Sequence, residues 1–171
     1  TNVIYIAFDG VAPVAKLEQQ RTRRYKSSFE ETLMQGYGKP PKMDTTQITP
    51  GTQFMKKLSL KINHYFNNPS KYNVDKIIIS CSDEAGEGEH KIYEFIRNNP
   101  NDEVSIVYGL DADLIMLTLN HLKFNSNLYL FRETPEFIKS IDKSLNPNEL
   151  YLLNIPKLKN IISDHFSGQS N

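Results

Sequence analysis

The sequence predicts an α/β domain with a mostly parallel central sheet flanked by helices. Short apolar runs, Val3–Phe8, Asp75–Ser80 and Val104–Tyr108, alternate with longer segments of helical period. Such alternation implies parallel strands covered by helices. Ile77, Ile78 and Ile79 are also consecutive, a continuity that suits a buried parallel strand better than one with a wet face.

The elements follow in order. Val3–Phe8 ends at the turn pair Asp9-Gly10, and Pro13 suits the first turn of a helix from about Val14 to Met34. Gly36-Tyr37-Gly38-Lys39-Pro40-Pro41 stops that helix and opens a loop through Gln47. Thr49-Pro50-Gly51 reads as an N-cap followed by an N1 proline. In the next helix Phe54, Leu58, Ile62, Tyr65 and Phe66 recur at helical spacing as a core-facing stripe. After the strand Asp75–Ser80 a helix is expected over Gly88–Asn98, with Ile92, Phe95 and Ile96 inward, then the strand Val104–Tyr108 and a helix over Asp113–His121. Leu128–Phe131 and Leu150–Leu153 are further short strands, Arg132–Pro147 is a polar connection, and Ile155–Phe166 is an amphipathic helix.

Bulk properties narrow the classes without choosing one. The 171 residues, 39% hydrophobic and 11% aromatic, are enough for one domain with a sizeable core. Twenty basic and twenty acidic residues cancel, so a nucleic-acid partner must be met by a local patch. Cys81 is the single cysteine, which excludes an internal disulfide and a cysteine-based zinc site. A buried small residue is the expected role for it, and a reducing, intracellular address is expected, cytoplasmic before nuclear. No apolar run approaches the roughly 20 residues of a membrane span, and no membrane partner is expected. The chain enters a core-like strand at once after Thr1-Asn2, which suggests a fragment, incomplete at both ends, or a processed terminus.

The chemistry sits at strand ends. Asp9 follows the first strand, Glu87 and Glu89 follow the second after the turn Cys81–Gly86, and Asp111 and Asp113 follow the third. Open α/β sheets bind ligands at the carboxyl ends of their strands. Carboxylates gathered there repel unless cations sit between them, and hard divalent ions with oxygen ligands are the natural answer. Residues two apart in one helix point to nearly opposite sides. For Glu87 and Glu89 to converge, the helix must therefore begin between them, and Gly86 and Gly88 make that turn possible. Ala112 is the small spacer between Asp111 and Asp113. Two divalent ions about 4 Å apart could then stabilise the attacking and leaving oxygens of a phosphoryl transfer. The bland alternative is helix capping by acids at the positive end of the dipole; acids at three strand ends together favour the metal reading.

Lys16, Gln20, Arg23 and Arg24 are spaced i, i+4, i+7 and i+8 on the first helix, and so share one face. Guanidinium groups grip phosphate oxygens bidentately, so this face suits a terminal phosphate, although on its own it reads first as a solvated basic surface. Its nearness to Asp9 in sequence favours the phosphate. His90 stands open between a substrate contact and a helix-surface residue, while His64, His121 and His165 read as surface or packing residues. Arg132-Glu133 stands open between a buried ion pair and a loop contact to RNA.

The stretch Tyr5–Tyr25, with its Phe8-Asp9-Gly10-Val11-Ala12-Pro13 turn and Lys16–Arg24 face, resembles the amino-terminal catalytic region of the Xrn family of 5′→3′ exoribonucleases. So do Ile48–Met55, Gly86–Ile92 and Tyr108–Leu117, with weaker echoes in Phe131-Arg132-Glu133 and Tyr151-Leu152-Leu153. The resemblance runs in order from about Val3 to Phe166, and the combination makes it specific. It implies a PIN/flap-nuclease-like core, with residues 1–171 a single catalytic-core domain fragment. It implies that Asp9, Glu87, Glu89, Asp111 and Asp113 are catalytic acids that bind two Mg2+ ions, with Mn2+ as a substitute. It also implies that Lys16, Gln20, Arg23 and Arg24 hold the 5′-monophosphate of single-stranded RNA, which is hydrolysed stepwise to mononucleotides in RNA and mRNA decay.

The sequence departs from the family pattern in places. An upstream strand with a further ligating Asp and a base-stacking His has no counterpart before Thr1, nor is there a later acid in an Asp-Phe-Leu-Pro-like turn. Val14 stands where the family often has arginine, and Ala85 where proline usually precedes the Gly-Glu-Gly-Glu run. The rivals are a flap-endonuclease-like DNA nuclease and a non-catalytic module that binds RNA ends with the same fold.

Overall fold

Val3–Ala7 forms β1 and Lys76–Ser80 forms β2, and the two pair in parallel with Ile4 beside Ile77 and Ile6 beside Ile79. The structure, a computed structural model, describes residues 2–35, 45–133, 142–146 and 149–168. They fall into two compact units, Thr1–Ile92 and Tyr93–Asn171. Residues 36–44 of the loop expected through Gln47, and most of the expected Arg132–Pro147 connection, lie outside the described residues.

In the first unit Ile77, Ile78 and Ile79 are half-buried, less covered than their continuity predicts. Among the described residues β2 has β1 as its partner strand in a two-stranded sheet, so part of its surface stays open. Helix α1, Val14–Gln35, starts at Pro13, whose carbonyl accepts from Lys16 N at 2.9 Å and Leu17 N at 3.2 Å. Helix α2 spans Gln53–Tyr65, and its cap differs from expectation. Thr52 is the N-cap, its hydroxyl accepting from Met55 N at 3.3 Å. Gly51, at φ +89°, makes the turn that precedes it. Thr49 instead donates its hydroxyl to Thr46 O at 2.5 Å, so Pro50 lies in a turn and not in the helix. Met55, absent from the predicted stripe, is the buried residue of α2, whereas Tyr65 is exposed and packs edge-on to Phe66.

Helix α3, Gly88–Asn98, matches its predicted bounds and leads into the second unit. There β3, Ser105–Tyr108, pairs in parallel with β4, Leu128–Glu133, which pairs antiparallel with β5, Leu150–Asn154. Two of the three strand pairs among the described residues are thus parallel. Helix α4, Asp113–His121, and helix α5, Ile155–Ser167, pack on β4. The centre of this unit is Leu128, Leu130 and Ile155, fully buried, with Tyr93, whose hydroxyl shares a 2.6 Å hydrogen bond with Thr118 Oγ1. His121 is a packing residue, as expected: its ring lies 4.6 Å from that of Tyr93. Its Nδ1 lies 2.6 Å from the Leu117 carbonyl, which only accepts, so Nε2 is left to accept from Arg97 at 2.8 Å. Among the described residues no helix is long and apolar enough to cross a membrane.

Candidate metal and phosphate site

Beyond the ends of β1 and β2 the backbone keeps the two strands joined. Phe8 N donates to Ser80 O at 2.9 Å, Gly10 N to Gly86 O at 2.8 Å, and Gly86 N to Val11 O at 3.3 Å. Gly86 sits at φ +100°, a region costly for any side chain. Gly10 is buried where a Cβ would overlap the Glu84 carbonyl. Gly10→Ala is therefore expected to destabilise the protein by about 1–3 kcal/mol through overpacking, as read by denaturant unfolding of the full-length protein. An unchanged midpoint would show that the two loops give way freely.

This stitching sets Asp9 against the start of α3. Asp9 Oδ1 accepts from Gly88 N at 2.6 Å, a charge-assisted bond at the positive end of a helix. Lys91 N bonds the Glu87 carbonyl at 3.0 Å, so Glu87 stands at the cap and Glu89 in the first turn. The helix thus begins between the two glutamates, as their convergence requires. Ligand atoms of Glu87, Glu89 and His90 lie within 4.8 Å of one another. His90 joins them from an exposed position. Two carboxylates and an imidazole at that spacing fit a divalent cation. Asp9 is outside this group of three, its Oδ1 engaged by Gly88.

Lys16 reaches across from α1 and donates to Glu87 Oε2. That hydrogen bond, then the negative charges of Glu87, Glu89 and Asp9, raise the Lys16 pKa against the opposing pull of burial. The ammonium therefore stays charged throughout the neutral range. Beside it a cleft of about 340 Å³ is lined by Asp9, Gly10, Gln20, Arg24, Ile48, Pro50 and Met55, among others. Gln20 and Arg24, one turn apart on α1, face the same space as the first strand-end aspartate. Arg23 is exposed and is not part of this lining.

In the second unit Gly109 N donates to Phe131 O at 3.2 Å, extending the β3–β4 ladder to the residue before Leu110. Asp111 follows, exposed, its carbonyl accepting from Leu114 N at 3.3 Å. Ala112 is the N-cap residue and brings no side-chain cap bond; Asp113 is in the first turn of α4, also exposed. Arg132 belongs to β4 and not to a loop, and its Nη2 donates to the Leu110 carbonyl at 2.8 Å.

Sequence reasoning gave no role to Lys91. It is buried, its ammonium donating to Phe8 O and Cys81 O, both at 2.9 Å. A lysine on an amphipathic helix reads as solvated, and no spacing signal marks one that turns inward.

A mixed α/β chain with acids at its strand ends, and in its first unit a cationic helix face beside Asp9 and Glu87, belongs to a recognisable class of nuclease-like domains. The chain is a member of the family described as XRN 5'-3' exonuclease N-terminus, which matches residues 1–134. It is 37% identical over 186 residues to 5'-3' exoribonuclease 1 of Saccharomyces cerevisiae, covering 96% of this chain and 12% of that protein. It is 42% identical over 150 residues to 5'-3' exoribonuclease 2 of Schizosaccharomyces pombe, covering 69% and 15%. With 5'-3' exoribonuclease 1 of Homo sapiens the identity is 36% over 190 residues, covering 97% and 11%. The chain thus spans only a small part of the length of these relatives.

Proposed function

We propose that this chain is the amino-terminal part of the catalytic core of a 5′→3′ exoribonuclease acting on single-stranded RNA with a 5′-monophosphate. The observation that carries the reading is the cleft in which Gln20 and Arg24 face Asp9, beside a lysine bonded to Glu87. A phosphate held by Arg24 and Gln20 would lie next to the carboxylates, so the terminal group would be measured where the chain is cut. In this reading Asp9, Glu87, Glu89, Asp111 and Asp113 are the metal-ligating acids, and Lys16, Gln20, Arg23 and Arg24 bind the terminal phosphate. Bound Mg2+ or Mn2+ would supply the Lewis-acid charge that a phosphodiester hydrolysis needs. The chain's own groups orient the RNA end: Arg24 by a forked contact to phosphate oxygens, Gln20 by its amide, and Lys16 by a charge kept next to the acids.

The test is mononucleotide release by the full-length protein with Mg2+ from matched 5′-monophosphate and 5′-hydroxyl RNAs. Release from the monophosphate alone, abolished by chelator, is expected. Tight RNA binding without release would overturn the reading in favour of an end-binding module, and cleavage of flap DNA would overturn it in favour of a DNA nuclease.

A further inference from the structure

We propose that Lys91 and Arg132 are positioning residues for two of the strand-end aspartates, an inference that rests on the metal-site reading above. Each cation holds the backbone carbonyl of the residue immediately before such an aspartate. Lys91 holds Phe8 O at 2.9 Å, one residue before Asp9, and Arg132 holds Leu110 O at 2.8 Å, one residue before Asp111. The two arrangements lie in different units, and their cations come from different elements, α3 and β4. Local chain geometry therefore does not account for the repetition.

Neither cation has a comfortable structural role. Lys91 is 7% exposed, and among the described residues its ammonium forms no ion pair. Burying a charge on carbonyl contacts alone is costly, and an apolar residue would pack there more cheaply. The same ammonium also bonds Cys81 O at 2.9 Å, so one side chain fixes the exits of both β1 and β2. Among the described residues Arg132 leaves its Nε buried without a partner while Nη2 serves Leu110, so the contact to that carbonyl is kept at the cost of an unmade bond.

The choice of acceptor explains what these cations do. Lys16 bonds a carboxylate directly and so occupies an oxygen of Glu87. Lys91 and Arg132 bond main-chain oxygens, which leaves the carboxylate lone pairs of Asp9 and Asp111 free of them. They fix where each carboxylate leaves the backbone without competing for its oxygens.

The experiment uses full-length protein carrying Lys91→Met, Arg132→Met or Arg132→Lys, with Mn2+ binding followed by calorimetry without RNA. Both methionine variants are expected to weaken Mn2+ binding by about tenfold, in the range seen for residues that orient metal ligands. The Mg2+ concentration that half-saturates RNA cleavage should rise with it, while KM for RNA at saturating Mg2+ stays put. Arg132→Lys keeps a donor for Leu110 and is expected to recover most of the affinity. A purely structural role would lower the melting temperature in chelator and leave the Mn2+ affinity of the folded fraction unchanged, which overturns the inference. Should Lys91→Met fail to fold, the Arg132 pair decides alone, equal Mn2+ affinity in Met and Lys variants being the refuting result. If the unsubstituted protein binds no Mn2+, the metal-site reading falls and this inference falls with it.

Discussion

Asp9→Asn in the full-length protein is expected to lower kcat at least about 100-fold, since metal-held charge contributes several kcal/mol and each ~1.4 kcal/mol is tenfold. RNA affinity should hardly change. Asparagine keeps an oxygen for the Gly88 amide, so the 2.6 Å bond at the head of α3 can persist while the charge is lost. Loss of a carboxylate from a repelling group should also leave the melting temperature in chelator unchanged or higher. A capping role predicts the opposite pattern, lower stability with activity preserved. Asp111→Ala and Asp113→Ala are expected to abolish cleavage in the same way with binding intact. Sustained turnover in all three variants would sink the metal-site reading.

The second large effect concerns the terminal phosphate. Arg24 lines the cleft beside Asp9, whereas Arg23 is exposed outside that lining. If the cleft holds the phosphate, Arg24→Ala removes a charged hydrogen bond worth about 1.5–3 kcal/mol. The preference for 5′-monophosphate over 5′-hydroxyl RNA should then narrow roughly 10- to 100-fold. Arg23→Ala should narrow it far less. Measuring kcat/KM on both substrates for each variant separates them; equal effects would mean that the whole helix face, not the cleft, senses the phosphate.

The uneven split between Arg23 and Arg24 illustrates where sequence reasoning reaches its end. Helical spacing groups Lys16, Gln20, Arg23 and Arg24 on one side of α1, because the period of a helix is fixed by its backbone. It does not say which of four neighbours looks into a cleft whose other wall is Ile48 and Pro50, since that wall is supplied by a distant loop. The start of α3 was legible from the chemistry: two glutamates separated by one residue converge only across a helix boundary, and the boundary is at Gly88. The cap of α2 was not, because the hydroxyl oxygens of Thr49 and Thr52 are equally good acceptors for the amides at a helix start. What separates them is the turn at Gly51. The antiparallel direction of β5 also escaped the pattern, since a short apolar run marks a strand without fixing the direction in which it pairs. Tyr93 and Lys91 were missed for a shared reason, as burial on α3 depends on the surface it meets rather than on its own period.

The reciprocal amide bonds between the two glycine-bearing loops have a consequence in time. Gly10 N is shielded by Gly86 O, and Gly86 N by Val11 O, so water reaches neither amide until the loops part. Both belong to a single opening event, and both protons should exchange with solvent at a common rate set by its free energy. On any timescale shorter than that event Asp9 and the head of α3 move as one body. The carboxylate is then already in place when a ligand arrives, and none of the ligand's binding energy goes into collecting it.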